Sequence, residues 1–525
     1  MVFIFLISGL LLLAAFLYIT SWRRNPKNSR PKNLLSLPQP PQAWPILGHL
    51  HLLGGDAHTC LTFSKLAEKY GPVFSLRLGF QHAVVISDRR AVMEAFTVRD
   101  KSFANRPRNS SGEHLVYDNA AIGFANGVYW RDMRKLVLTE VLSTRSIEKM
   151  RNLRVSEIDM SIKELYFQAV RNQNKPVNLS QWTEQMTLNI IVKTLAGKRY
   201  GSDPDGSVPE EVSVFRRLIS DITNLTGQFV LADVIPFPFL KWLDPKGYIK
   251  RMKKVSEELD GILEVWIEEH LRRRSSGGEV GSYEQDFVDV LLSNIDDRLV
   301  KIHGKAKMII IKATLVNVIL GGFDTTSVFL SWALSLLLQH KEAMNLAQKE
   351  IDSKIGKQRW VQESDLKNLV YLQAIVKETL RLYPSLPLSV PHEAVEDSEL
   401  CGYFVPKGAL LFVNLWKLHR DPQFWPEPEE FRPERFLSGQ AAQMDVLGQQ
   451  FEYTPFGSGR RVCPGITFVA HVGNLTLARL LQGFDLVTPG DQKVDMSVGF
   501  GVTIPRANPL EVLITPRLHT KLYES

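Results

Sequence analysis

The chain has 525 residues, 44% of them hydrophobic and 23% charged, with 63 basic against 56 acidic side chains and a net charge of +7. That composition excludes a disordered or collagen-like chain and is long enough to bury a large core. Three cysteines, Cys60, Cys401 and Cys463, are too few and too scattered for a disulfide framework or a CxxC zinc site, so any special cysteine acts alone.

Val2 to Trp22 carries no charge and has about the 20 residues a helix needs to cross a bilayer. Basic residues follow this run instead of preceding it, which reads as a retained anchor and not a cleaved signal. Arg23, Arg24, Lys27, Arg30 and Lys32 form an acid-free tract that should stay cytosolic, leaving the body of the chain on that side. The tract accounts for most of the basic excess, so no nucleic-acid face is expected. Leu37 to Pro45 contains four prolines and reads as a stiff spacer. The division expected is an anchor over 2–22, a linker over 23–45 and one large domain over 46–525.

Within that domain, Phe74–Gly79 and Ala83–Ser87 alternate or cluster like strands. Trp130 and Arg134 lie four apart in W-R-x-x-R and share a helix face, where an indole N–H and a guanidinium suit a carboxylate. Helical periodicity is clear over Glu257–Arg273, Ala313–Leu338 and Tyr371–Leu382. The second of these is apolar enough to span a membrane. Its mid-run Asn317, Gly321, Gly322, Asp324, Thr325 and Thr326 would be expensive in lipid, so it reads as a core helix with a polar notch. The glycines there predict a π-bulge or kink. Glu378 and Arg381 are three apart on the third helix. Gly402–Pro406 and Leu410–Asn414 read as a hairpin across Lys407-Gly408. The whole predicts a mainly α fold with a minor β part.

The strongest segment runs from Phe456 to Gly465, F-G-S-G-R-R-V-C-P-G. Its glycines, Gly459 and Gly465 among them, let backbone approach a flat ligand. A helix beginning after Pro464 and the nearby arginines would favour a thiolate at Cys463. Four N-x-[S/T] sites, at Asn109, Asn178, Asn224 and Asn474, should be bare in the cytosol.

With these motifs together the chain resembles the cytochrome P-450 haem-thiolate monooxygenases in their plant microsomal form, over its whole length. The resemblance implies the P-450 fold, haem b as cofactor and Cys463 as the axial metal ligand. It makes Phe456, Gly459 and Gly465 the bed of the haem, and Trp130, Arg134, His392 and Arg461 partners of its propionates. It makes Glu378, Arg381 and Arg435 (of F-R-P-E-R-F) a buried ion network. It assigns Asp324 and Thr325 to proton delivery toward O2, and Val116 to Phe124, Asn317, Leu320, Leu386 to Val390 and Phe500 to Val502, with Gly501 at its centre, to the substrate pocket. Electrons should come from NADPH through a separate reductase, since no nucleotide-binding G-x-G-x-x-G loop is present; Arg460 and its basic neighbours should help attract that partner. Location is expected at the endoplasmic reticulum membrane, single-pass. The tail and the Tyr371–Glu378 stretch resemble the branch that includes nicotine N-demethylase and tropane-forming oxidases. That implies a small lipophilic alkaloid oxidised by hydroxylation, N-dealkylation or ring formation, with a terpenoid or phenolic hydroxylase as the alternative. A reductase-independent haem-thiolate isomerase or dehydratase, and a non-catalytic haem sensor, are the competing classes.

Overall fold

The computed structural model describes Gly9, Leu10, Leu13 and residues 34–53, 58–172, 175–201, 209–235, 238–276 and 285–524. Apart from those three positions, the expected anchor over 2–22 and its basic tract lie outside the described residues.

In chain order the helices that frame the site are α1 (Thr59–Tyr70), α2 (Arg89–Phe96), α3 (Gly127–Leu136), α4 (Arg151–Asn172), α5 (Leu179–Ala196), α6 (Glu210–Thr226), α7 (Tyr248–Ser275), α8 (Lys307–Gln339), α9 (Lys341–Lys354), α10 (Val370–Leu382) and α11 (Ile466–Gly483). Local chemistry sets several of these ends. Asp88 accepts the Ala91 N–H at 2.8 Å to open α2, and Asn178 accepts the Gln181 N–H at 2.9 Å to open α5. Gly197, at φ +65°, stops α5 in a left-handed turn that costs a glycine nothing.

Among the described residues nine short strands complete the fold: β1 (Val73–Leu78), β2 (Gln81–Ile86), β3 (Val177–Asn178), β4 (His392–Glu393), β5 (Ser398–Leu400), β6 (Tyr403–Val405), β7 (Leu410–Val413), β8 (Phe484–Val487) and β9 (Glu511–Pro516). They form sheets of order β1-β2-β7-β4, β3-β9-β8 and β5-β6. The hairpin expected across Lys407-Gly408 does not form. Leu410–Val413 runs parallel to β2, with Ala83 opposite Leu410, while Tyr403–Val405 folds back on Ser398–Leu400. Leu410, Leu411 and Val413 are buried, as befits a central strand needing a neighbour on each side. An edge hairpin with β6 would have left one flank of β7 unpaired.

The helix α8 has 33 residues and a length of about 50 Å. Among the described residues it is the one helix long and apolar enough to cross a membrane, yet it runs through the core. The α5 helix lies along it, with Thr183 and Ser331 hydroxyls 3.2 Å apart and the Ile191 Cδ1 only 2.5 Å from where a Gly322 Cβ would stand. The α11 helix crosses it where a Cβ on Gly473 would meet the Phe329 ring at 2.7 Å. Trp332 stacks on Tyr383, centroids 3.9 Å apart, and donates to the Ile504 carbonyl at 2.6 Å.

Candidate active site

Near its middle, α8 changes character. Asn317, Val318, Leu320 and Gly321 to Thr325 are only partly buried, between segments that are fully buried. Gly321 has nothing within 4 Å of its would-be Cβ, so the missing side chain leaves open space. The expected π-bulge is absent here: α8 is α-helical from end to end. The Thr325 hydroxyl donates to the Gly321 carbonyl at 2.6 Å, satisfying the helix without breaking it. The notch comes from small side chains. A π-turn occurs instead at Val137–Val141, beyond α3.

Asp324 sits in this notch with Oδ2 accepting the Thr503 hydroxyl at 2.6 Å. Burial pushes its carboxyl up from the ordinary range, and the Thr503 hydroxyl partly offsets that. Thr503 escaped sequence reasoning, which reached Phe500 to Val502 and stopped one residue short.

The cysteine loop stands before α11. Gly457 and Gly459 take φ of +74° and +67°. A Cβ on Gly459 would strike the Asp100 carboxylate at 2.5 Å and the α2 backbone of Phe96 at 3.2 Å. The Cys463 N–H donates to the Phe456 carbonyl at 3.0 Å, and the Gly465 N–H points at Cys463 Sγ at 3.3 Å. Burial pushes the thiol up; the Gly465 N–H and the Arg134 charge pull it back toward the thiolate. The helix starts at Ile466, with Pro464 in the turn ahead of it.

Around this loop lie three guanidinium groups, Arg106, Arg134 and Arg461, and among the described residues none of them pairs with a carboxylate. Arg461 lies over the Trp130 ring at 3.9 Å and donates to the Ala104 and Ala125 carbonyls, both at 2.8 Å. Arg134 donates to the Val462 carbonyl at 2.6 Å. Arg106 donates to the Val390 and Pro391 carbonyls at 2.7 and 2.9 Å, while its Nε is buried without a partner. Burial and then mutual repulsion push Arg461 down to about 8 and Arg106 to about 9. His392 is buried in β4 with Nδ1 2.8 Å from the Phe103 carbonyl; burial and then Arg106 hold it neutral, well below the usual imidazole range. A cluster of one buried and two half-buried cations, with an orphan Nε on the buried one, fits an anionic ligand carrying carboxylates. Arg106 also escaped sequence reasoning; Arg106-Pro107 carries no signal of its own.

Hydrogen bonds made by side chains, most of them to backbone groups, join these parts in a ring. Arg461 donates to Ile122 (3.3 Å) and Ala125; the neighbouring Gly123 N–H donates to Asn317 Oδ1 on α8 at 2.9 Å. Thr325 on α8 accepts the Ser385 hydroxyl at 2.8 Å through its carbonyl, and the chain from Leu386 to Val390 returns to Arg106. Asn126 closes the circuit, accepting from Arg461 at 3.1 Å and from the Arg106 N–H at 2.7 Å. Val116 is fully buried, while Phe124, Leu320 and Leu386 are half-buried along this ring. Val390 (38% exposed) and the exposed Gly501 stand at its margin.

One residue behaves differently from expectation, and one expected network is found. Arg460 donates to Asp100 Oδ2 at 2.6 Å, so its charge is taken up within the chain and not held out to a partner. Glu378, Arg381 and Arg435 do meet: Arg381 binds Glu378 in a fork (2.7 and 2.9 Å), and Arg435 Nε reaches Glu378 Oε1 at 3.3 Å.

Removing Arg461 takes away the guanidinium that joins the cysteine loop to the 122–126 backbone. The Arg461→Ala variant should retain haem roughly tenfold less well through gel filtration, measured as the Soret-to-protein absorbance ratio.

Comparison with known proteins places these residues among relatives. The cytochrome P450 family profile matches residues 38–511. The chain is 48% identical to vinorine hydroxylase of Rauvolfia serpentina, covering 98% of this chain and 97% of that one. It is 44% identical to a nicotine N-demethylase of Nicotiana tomentosiformis, covering 97% of each. A solved zebrafish cytochrome P450 with progesterone superposes with a TM-score of 0.74 at 26% identity, over 88% of this chain and all of that one.

Proposed function

The chain belongs to the cytochrome P450 family, and from that membership we propose the reaction it serves: oxidation of a small lipophilic alkaloid, by hydroxylation, N-dealkylation or oxidative ring formation. The family's cofactor is haem b, which when bound supplies the iron at which O2 is reduced by electrons from NADPH through a separate reductase. In this chain Cys463 would supply the thiolate that holds the iron, and Trp130, Arg106, Arg134, Arg461 and His392 would hold the propionates.

The observation that carries the reading is the ring just described, which ties the cysteine loop, the α8 notch and an apolar wall into one circuit. The wall excludes water and orients a lipophilic molecule over the notch. Oδ2 of Asp324 accepts from Thr503, which leaves Oδ1 as the atom that would take up and release a proton. Thr325 donates its hydroxyl proton to Gly321, which leaves its oxygen to accept from a water and hold it in the notch; passing a proton on would require the hydroxyl to leave Gly321. Support for an alkaloid comes from the names of the two plant relatives and the apolar lining. Anchorage to the endoplasmic reticulum through residues 2–22 is supported by their freedom from charge and the basic tract that follows.

A reductase-coupled assay on an alkaloid, terpenoid and flavonoid panel, read by mass spectrometry, tests the substrate class. The proposal expects an oxygenated or dealkylated product from an alkaloid; turnover confined to terpenoids or flavonoids would refute it. In the same assay Asp324→Asn should lower product formation about 10²-fold while NADPH consumption persists and appears as hydrogen peroxide. Coupled, undiminished turnover by that variant would remove Asp324 from the relay.

A further inference from the structure

The wall segment from Ser110 to Phe124 is pinned at several points. The Ser110 N–H and hydroxyl donate to Asp233 Oδ1 at 2.8 and 2.6 Å, the Ala120 carbonyl accepts the Tyr129 hydroxyl at 2.8 Å, and Gly123 meets Asn317. Between these pins, Tyr117, Asp118 and Asn119 take φ of +56°, +52° and +58°. Side chains of L configuration visit the left-handed region as single residues, not in runs of three, so this turn must be held from outside.

Backbone bonds brace it from the preceding turn, Asp118 N–H to the Glu113 carbonyl at 3.2 Å and Asn119 N–H to the Gly112 carbonyl at 2.7 Å, and one side chain ties it to the helices behind. The Tyr117 hydroxyl donates to Asp260 Oδ1 on α7 at 2.7 Å. The buried Lys312 of α8 donates to both oxygens of that carboxylate, at 2.9 and 3.0 Å, and to Glu264. Lys312 thereby fixes the carboxylate with one oxygen toward Tyr117. The other ion pair of the turn, Asp118 with Arg108, is exposed on both sides and contributes little.

We propose that Tyr117, Asp260 and Lys312 form a latch that holds the strained turn of the pocket wall against α7 and α8, and so sets how fast a bulky ligand enters and leaves. The latch rests on the monooxygenase reading and adds positioning residues outside the haem cage. It makes and breaks no covalent bond.

The test uses the haem-loaded full chain in detergent, with 4-phenylimidazole as a bulky probe and carbon monoxide as a small one. Tyr117→Phe keeps the ring and deletes the hydroxyl; Lys312→Met deletes the ammonium. Asp260 and Glu264 are 41% and 44% exposed, so they stay hydrated when a partner is lost and both variants should fold. Entry and release of 4-phenylimidazole should accelerate roughly tenfold in each variant, the factor expected from one hydrogen bond to a charged group. Rebinding of carbon monoxide after photolysis and the reduced Soret band should match the parent. Parental azole rates with a normal Soret band overturn the latch, and so does an equal change for both probes, which would place the effect at the haem. If the parent shows no azole-induced Soret shift, the haem reading itself fails and the latch goes with it.

Discussion

The Cys463→Ala chain, loaded with haem and reduced under carbon monoxide, should lack the red-shifted Soret band of thiolate ligation and form no product above the reductase-only control. Every feature of the loop serves that sulfur. Gly465 aims its N–H at Sγ from 3.3 Å, Arg134 supplies a nearby positive charge, and the loop closes through the Cys463 N–H on Phe456. The other cysteines offer no substitute. Burial pushes the Cys60 thiol up to about 12 despite the charge of Arg420, and burial together with Glu94 pushes Cys401 to about 11 despite Arg90. When haem is bound, a Cys463 thiolate would supply the electron density that favours O2 reduction, which an alanine cannot do. A Cys463→Ala chain that kept the shifted band would refute the assignment outright.

The second large effect is expected from Glu378→Gln, which should lower stability by about 3–5 kcal/mol, read as a fall in the denaturant midpoint of the haem-loaded chain and in its yield. Glu378 and Arg381 are wholly buried, and Arg435 nearly so. Arg381 also donates to the carbonyls of His419, Pro428 and Glu430 at 2.9, 2.7 and 3.0 Å, and lies over Trp425. Neutralising Glu378 strands two guanidinium groups away from water, with only neutral oxygens left to them. The segment they staple leads toward the cysteine loop: His419 Nε2 accepts the Thr454 N–H at 3.0 Å, two residues before Phe456. Loss of stability should therefore appear together with loss of haem. The double variant Glu378→Gln/Arg381→Met should recover part of the deficit, because it removes a stranded charge along with its partner. Equal stability of Glu378→Gln and the parent would show that the pair contributes nothing beyond its own desolvation.

Both groups were legible without coordinates because their chemistry is local. Glu378 and Arg381 meet across one turn of one helix, and the cysteine loop is a short run whose glycines and proline dictate its own backbone. Partners distant in sequence were not legible in the same way. Leu410–Val413 has the composition of a strand, but alternation does not name the neighbour; β2 won because a central strand needs two. The notch in α8 was read correctly as polar and wrongly as a backbone bulge, since Thr325 satisfies the Gly321 carbonyl while the helix stays whole.

What the amino-acid order determined alone is the set of elements whose contacts lie within a turn or a loop: the helices, the Cys463 loop and the Glu378–Arg381 pair. Only the tertiary structure decided which distant residues complete the site. Arg106 joins Arg134 and Arg461, Thr503 reaches Asp324, Arg460 turns to Asp100, and Tyr117 finds Asp260. Short-range sterics act on neighbours in the chain and leave a periodic trace. Burial and charge pairing act through space, across separations of up to hundreds of residues, and are settled only when the core has closed around α8.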